Sequence, residues 1–291
     1  MSLSCPYCLV KSDGAEKHSN VVRFGTFYRK SDSRTLQRLK CLICKKGFSN
    51  ATAHPCYRQN KRQVNDMLRK LLCSGVSQRR AAQILNVSRR TVVKKLLFLA
   101  NMAELILTEM NKNKPQSQVI EFDDLETFEH TKCKPLSVTL AVESKTRHIL
   151  GFEVSQMPAK GRLVHIARKK YGPRKDKRAQ GRKSLFKKIS EFVKPDALVK
   201  SDENPHYGPD VLLFFPKAKH ETHKGRRGCI VGQGELKKIG FDPLFSLNHT
   251  CAKLRADINR LFRRTWCTTK KPERLAAHLA MYVVFHNQRL A

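Results

Sequence analysis

Acidic residues are scarce in this sequence. The 291 residues include 24 Asp and Glu against 58 Lys and Arg, giving a net charge of +34 at pH 7 and an isoelectric point near 10.2. This excess of positive charge is too large for an ordinary enzyme of small molecules, and it implies a polyanionic partner. The basic residues are spread along the chain rather than gathered in a tail, which favours nucleic acid over a ribosome-associated or membrane-surface role.

Long apolar runs are missing as well. No stretch has the length of a membrane span, and no secretory signal precedes Cys5 and Cys8. We therefore expect a cytoplasmic, nucleoid-associated protein with no membrane partner. In a reducing compartment, ten cysteines favour metal binding over disulfides.

The first zone, residues 1–57, carries two C-x-x-C pairs separated by two β-like segments, 22–29 and 37–41. This spacing is typical of a zinc ribbon that binds Zn²⁺ through four thiolates. Few apolar residues are available here, so the metal would supply most of the folding free energy. The alternative is two unrelated pairs of free thiols. The predicted zinc ligands are Cys5, Cys8, Cys41 and Cys44.

The second zone, residues 58–115, has a helix-turn-helix pattern. After a helical stretch, Gly75 is a helix stop and Ser77 is the cap of the next helix. The turn Asn86-Val87-Ser88 then precedes a second helix that starts at Arg89. This pattern predicts an α-helical DNA-binding domain, and the alternative is a plain helical hairpin with a solvated basic face.

In a helix-turn-helix the start of the second helix enters the major groove. Arg79 and Arg80, on the first helix, would then reach phosphate groups. The side chains predicted to face the groove are Arg89, Arg90, Thr91 and Lys94.

The third zone, residues 116–291, starts with strand patterns at 119–124, 136–142 and 148–154, which predict a mixed sheet. The first of these strands ends in Asp123-Asp124. A later apolar strand, at 197–202, ends in Asp202.

Further along, we expect a break at Gly208-Pro209, a short strand at Phe214-Phe215-Pro216, and a loop with His220 and His223 that could hold phosphate. Two helices follow, one from Phe245 to Arg264 and one from Pro272.

Taken in order, these motifs resemble those of transposases of the insertion sequence one superfamily. The resemblance covers nearly the whole chain and implies a ribonuclease-H-like catalytic domain, of α/β class with a mixed sheet, over residues 116–291. The matching residues are the two C-x-x-C pairs, the helix-turn-helix, Phe122-Asp123-Asp124, Lys200-Ser201-Asp202 with Tyr207, the run from Asn248 to Thr265, Tyr282 and His286-Asn287.

The resemblance also implies an acidic triad. Its first two acids fall on Asp123 and Asp202, and its third position falls on Asn248, where many relatives have Glu. Glu235, in the run Gly232-Gln233-Gly234-Glu235-Leu236, is the other candidate for the third carboxylate. Asp124 is a neighbour of the first acid rather than a ligand.

Such a site would bind Mg²⁺, which prefers oxygen ligands, and would cut and join DNA strands. The expected partners are double-stranded DNA, as element ends and target, and further copies of the chain, because two ends must be brought together. Three alternatives remain, one of which is a zinc-ribbon RNA-binding or translation protein. The aspartates could be structural carboxylates, and the protein could be a non-catalytic DNA-binding transcriptional regulator with the same ribbon and helix-turn-helix.

Overall fold

The computed structural model describes residues 5–8, 20–30, 33–224, 242–262 and 267–290. The chain divides into two compact units, residues 1–65 and residues 66–291. The division into three domains at about 57 and 115 stays a prediction. Within the described ranges, no helix is both long and apolar enough to span a bilayer.

The first unit contains a small antiparallel sheet with the strand order β1-β2-β3. Among the described residues of this unit, the buried core consists of Cys5, Cys8, Cys41, Leu39 and Phe48. A short 3₁₀ helix, Arg62–Val64, lies near the end of the unit. The strands are β1 (Val21–Arg29), β2 (Arg34–Cys41) and β3 (Gly47–Ser49).

Three helices precede the large sheet: α1 (Asn65–Leu72), α2 (Gln78–Ile84) and α3 (Arg89–Lys112). The Ser77 hydroxyl accepts a hydrogen bond from the third residue of its helix, which confirms the predicted cap of α2. Ser88 caps α3 in the same way. These helices share one hydrophobic core with the sheet and the C-terminal helices.

The large sheet has five strands in the order β6-β5-β4-β7-β8. The strands β4, β5 and β6 are antiparallel neighbours, whereas β7 runs parallel to β4 and β8 runs parallel to β7. A mixed five-strand sheet with helices fits the predicted ribonuclease-H-like domain. The strands are β4 (Ser117–Phe128), β5 (Pro135–Glu143), β6 (Ile149–Gln156), β7 (Val193–Asp202) and β8 (Lys219–His223).

Helices cover both faces of this sheet. Ile120 and Phe122 of β4 pack on the side of α5 and α6, whereas Leu125 packs on the side of α7 and α8. Since neighbouring residues of a strand point to opposite faces, Asp123 lies on the α7 side. The helices are α4 (Leu163–Tyr171), α5 (Arg178–Ile189), α6 (Tyr207–Phe214), α7 (Phe245–Asp257) and α8 (Pro272–Gln288), with short 3₁₀ helices at Ser190–Phe192 and Asn259–Leu261.

Several local predictions in the third zone are wrong. The first strand, β4, continues to Phe128, so Asp123 and Asp124 lie inside it and not at its end. Gly208-Pro209 lies in the first turn of α6, where proline is tolerated, and Phe214 is the last residue of that helix rather than part of a strand. A short apolar run does not distinguish a strand from a helix. His220 and His223 lie on β8 and not in a loop. The predicted helix to Arg264 stops at Asp257, and Arg264 lies outside the described residues.

Candidate metal centres and DNA interface

The four predicted zinc ligands come together in the first unit. The Sγ atoms of Cys5 and Cys44 are 3.6 Å apart, and those of Cys8 and Cys41 are 3.8 Å apart. A tetrahedral Zn²⁺ site with bonds of about 2.3 Å has sulfur atoms about 3.8 Å from each other. The donor set and the spacing therefore fit Zn²⁺.

The thiols of this cluster differ in acidity. The backbone N–H of Cys44 is the main cause that lowers the pKa of Cys41 to about 7, and N–H groups near a thiolate favour its charged form. A hydrogen bond with the Cys44 side chain, followed by burial, raises the pKa of Cys8 to about 12. Four thiols this close do not all ionise by themselves, whereas a bound cation would stabilise four thiolates.

Asp123 and Asp202 lie on neighbouring parallel strands. The last pair of their register is Glu121 with Lys200, and each aspartate stands two residues beyond this pair on its own strand. They share the face of the sheet that α7 covers.

The two carboxylates also interact electrostatically. The pKa of Asp123 is raised to about 6; burial is the largest cause, and the negative charge of Asp202 acts in the same direction. A cation between the two groups would remove this repulsion.

Two donors converge on one oxygen of Asp123. The Asp124 N–H donates to Oδ1 at 2.6 Å, and the Tyr207 hydroxyl donates to the same atom at 3.1 Å. In the described part of the chain, Oδ2 receives no hydrogen bond. Asp202 is half-buried and accepts one from the Asn204 N–H at 3.1 Å. Asp124 points to the other face and accepts one from Thr139 at 2.5 Å.

The third predicted site residue, Asn248, is exposed on the first turn of α7. Its Nδ2 donates to Asp242 Oδ2 at 3.0 Å. Cys251 lies three residues further along the same helix, and burial and then the charge of Asp123 raise its thiol pKa to about 12. The helix therefore lies beside Asp123. The other candidate, Glu235, lies outside the described residues.

Among the described residues, the candidate carboxylate ligands do not form a cluster of three acids. Within the described ranges, the four cysteines are the one group of three or more His, Cys, Asp or Glu side chains whose ligand atoms all lie within 4.8 Å of one another. The predicted Mg²⁺ ligands are two aspartates and one asparagine, so this set contains only two side chains of those four types.

Sequence reasoning missed Glu121 on the Asp123 face and placed His223, which lies on the same face, in a loop. Glu121, only 1% exposed, accepts hydrogen bonds from the Ser144 hydroxyl at 2.7 Å and the Leu247 N–H at 2.9 Å. His223 pairs in register with Asp202, and its Nε2 is buried without a partner among the described residues. The alternation of residues along the strand places Glu121 on the same face as Asp123. Nothing in the sequence indicated its distant hydrogen-bond partners, Ser144 and Leu247.

The predicted DNA-binding residues lie at the starts of α2 and α3. Thr91 differs from the others, because it is half-buried and its hydroxyl lies 2.9 Å from that of Ser88. Five cations of the set are exposed: Arg79, Arg80, Arg89, Arg90 and Lys94.

No protein-family model and no curated protein matches the chain. Among solved structures, the chain is similar to a Mos1 strand transfer complex, with 11% identity and a TM-score of 0.25 over 77% of each chain. It is also similar to a pre-cleavage Mos1 transpososome, with 12% identity and a TM-score of 0.21 over 77% of each chain. Scores this low do not establish a shared fold, so the function has to be argued from the residues of the chain.

Proposed function

We propose that the chain is a DNA transposase of a bacterial-type insertion element, related to the insertion sequence one superfamily. It binds the ends of the element and catalyses Mg²⁺-dependent strand cleavage and strand transfer. The observation that carries this proposal is the position of Asp123 and Asp202 on adjacent parallel strands of a mixed sheet, each two residues beyond the last register pair, Glu121 with Lys200.

The two aspartates suit Mg²⁺, which prefers carboxylate oxygens. Asp123 offers an oxygen that no described donor occupies, and the mutual repulsion of the acids favours a cation between them. Bound Mg²⁺ would activate the attacking oxygen and stabilise the leaving oxygen of the phosphodiester. Asn248 is proposed as the third ligand, with its amide oxygen turned towards the aspartates, although it would add no charge.

The remainder of the chain would hold DNA. The exposed arginines at the start of α3 are proposed to read the element ends, while Arg79 and Arg80 contact phosphate. The zinc ribbon would be a folded platform that depends on its metal. Because two ends must be joined to one target, we propose that the active form contains more than one copy of the chain.

The test is cleavage of labelled element ends in the presence of Mg²⁺. We expect the parent protein to cut, and the Asp202→Asn variant to bind the same DNA without cutting. Asp196→Asn is the matched control, because Asp196 is an exposed aspartate on the same strand. If the parent protein binds DNA but never cuts, the chain is a DNA-binding regulator; if Asp202→Asn still cuts, the site lies elsewhere.

A further inference from the structure

We propose that Tyr207 is a positioning residue for the cation site: its hydroxyl fixes the carboxylate of Asp123 so that Oδ2 faces the ion. This inference rests on the proposed function of Asp123 and Asp202. In this proposal Tyr207 orients the carboxylate of Asp123, which the two aspartates do not do by themselves.

The hydrogen bonds of Asp123 carry the first step. A carboxylate on a strand can rotate about its side-chain bonds, and one donor alone leaves that rotation partly free. Here the Asp124 N–H and the Tyr207 hydroxyl reach the same oxygen, Oδ1, from different parts of the chain. With Oδ1 held twice, Oδ2 is left as the oxygen that can bind a cation.

Tyr207 is itself fixed in place. It is fully buried, and its ring centroid lies 4.8 Å from that of Phe122, the residue before Asp123. A tyrosine packed in this way loses little conformational freedom when its hydroxyl makes a hydrogen bond.

One buried arginine holds the start of the helix that carries the tyrosine. Arg182, 3% exposed, donates from Nε to Asp210 at 2.6 Å and from Nη2 to the His206 carbonyl oxygen at 3.1 Å. Its guanidinium also lies 4.9 Å from the centre of the Tyr207 ring. Arg182 of α5 therefore contacts the residue before Tyr207, the Tyr207 ring and the next turn of α6.

The close packing of α5 supports this arrangement. A Cβ on Gly181, the residue before Arg182, would lie 1.9 Å from the Ser155 hydroxyl oxygen of β6. The glycine therefore allows α5 to lie close to β6. Arg182, the next residue of α5, is in this way placed in contact with the Tyr207 ring.

The experiment compares Tyr207→Phe with Tyr282→Phe in the full-length protein. Tyr282 is a matched control because it is also buried and its hydroxyl donates to a carboxylate, Asp257, at 2.7 Å. Mn²⁺ binding is measured by electron paramagnetic resonance, and Mg²⁺-dependent cleavage of labelled DNA is measured separately. Tyr207→Phe keeps the ring, and thermal unfolding of both variants shows whether they remain folded.

We expect Tyr207→Phe to weaken Mn²⁺ binding on the order of 10-fold, as is typical when a partner of a metal ligand is removed, and to lower kcat with little change in KM. Tyr282→Phe should bind Mn²⁺ like the parent. Equal Mn²⁺ affinity in the parent and Tyr207→Phe, with cleavage intact, would overturn the role of Tyr207 alone. A parent protein that neither binds Mn²⁺ nor cuts would instead overturn the proposed function, and this inference with it.

Discussion

Glu121 accepts a hydrogen bond from the backbone N–H of Leu247 at 2.9 Å, which ties the first turn of α7 to the strand that carries Asp123. The carboxylate is buried and also accepts one from the Ser144 hydroxyl. Since Asn248 follows Leu247, the carboxylate fixes the part of α7 from which the proposed third ligand projects.

Replacing Glu121 by Ala should therefore destabilise the fold. The Leu247 N–H and the Ser144 hydroxyl would lose their acceptor in a buried place, and we expect the free energy of unfolding to fall by about 2–3 kcal/mol. Urea denaturation measures this change. Glu126→Ala is the control on the same strand: its ion pair with Lys160 is exposed, so its loss should cost less than about 1 kcal/mol. Equal losses in the two variants would contradict the anchoring role.

Zinc binding should depend on the cysteine cluster alone. Cys41→Ser removes one of four thiolates, so we expect the purified variant to lose its zinc and residues 1–65 to unfold. The control is Cys56→Ser, which changes a half-buried cysteine outside the cluster and should retain about one zinc ion per chain. Zinc is measured by atomic absorption. A zinc-free parent protein would contradict the ribbon assignment.

Selective DNA binding should depend on the start of α3. Replacing Arg89 and Arg90 by Ala removes two exposed cations from the proposed groove side, so we expect weaker binding and less discrimination between element ends and random DNA. Fluorescence anisotropy at several salt concentrations measures both. Lys112→Ala, which removes an exposed charge from the other end of α3, should leave discrimination unchanged. Unchanged discrimination in the double variant would place recognition elsewhere.

Acid should destabilise the second unit through His278. Burial lowers the pKa of this side chain to about 4, from 6.5 in an unfolded chain. Above pH 6.5 both states are neutral, but as the pH falls from 6.5 to 4 only the unfolded state gains the proton. Stability is therefore lost over this window, by about 3 kcal/mol in full.

His278→Gln removes that titration, while its side-chain amide can still donate to the Leu72 carbonyl oxygen that Nε2 contacts at 2.9 Å. The measurement is the free energy of unfolding from pH 7 to pH 4 in the parent and the variant. We expect a shallower fall in the variant, whereas parallel curves would show that His278 does not resist protonation.

Local sequence patterns predicted a large part of this structure. The cap Ser77 and the start of α8 at Pro272 depend on residues within one helical turn, and the structure shows both. The four cysteines were predicted from their spacing, and they meet as expected.

The rest depends on contacts between distant residues. Glu121 and Leu247 are 126 residues apart, and Tyr207 and Asp123 are 84 residues apart. No periodicity in the sequence reports such pairs, so the sequence predicted Asp123 and Asp202 as site residues without the groups that contact them. The short run around Phe214 was assigned to a strand because a short apolar run does not distinguish a strand from the end of a helix. The Phe215 N–H donates to the Val211 carbonyl oxygen at 2.8 Å, so the run begins as the last turn of α6.

Mn²⁺ binding to single and double variants of Asp123 and Asp202 tests the central claim most directly. If both side chains bind the same ion, Asp123→Asn and Asp202→Asn should each abolish tight Mn²⁺ binding. The double variant should then bind Mn²⁺ no more weakly than either single variant. Asp124→Asn, which changes the acid on the opposite face, should bind like the parent. Undiminished Mn²⁺ affinity in Asp123→Asn or Asp202→Asn would contradict a shared cation site between β4 and β7.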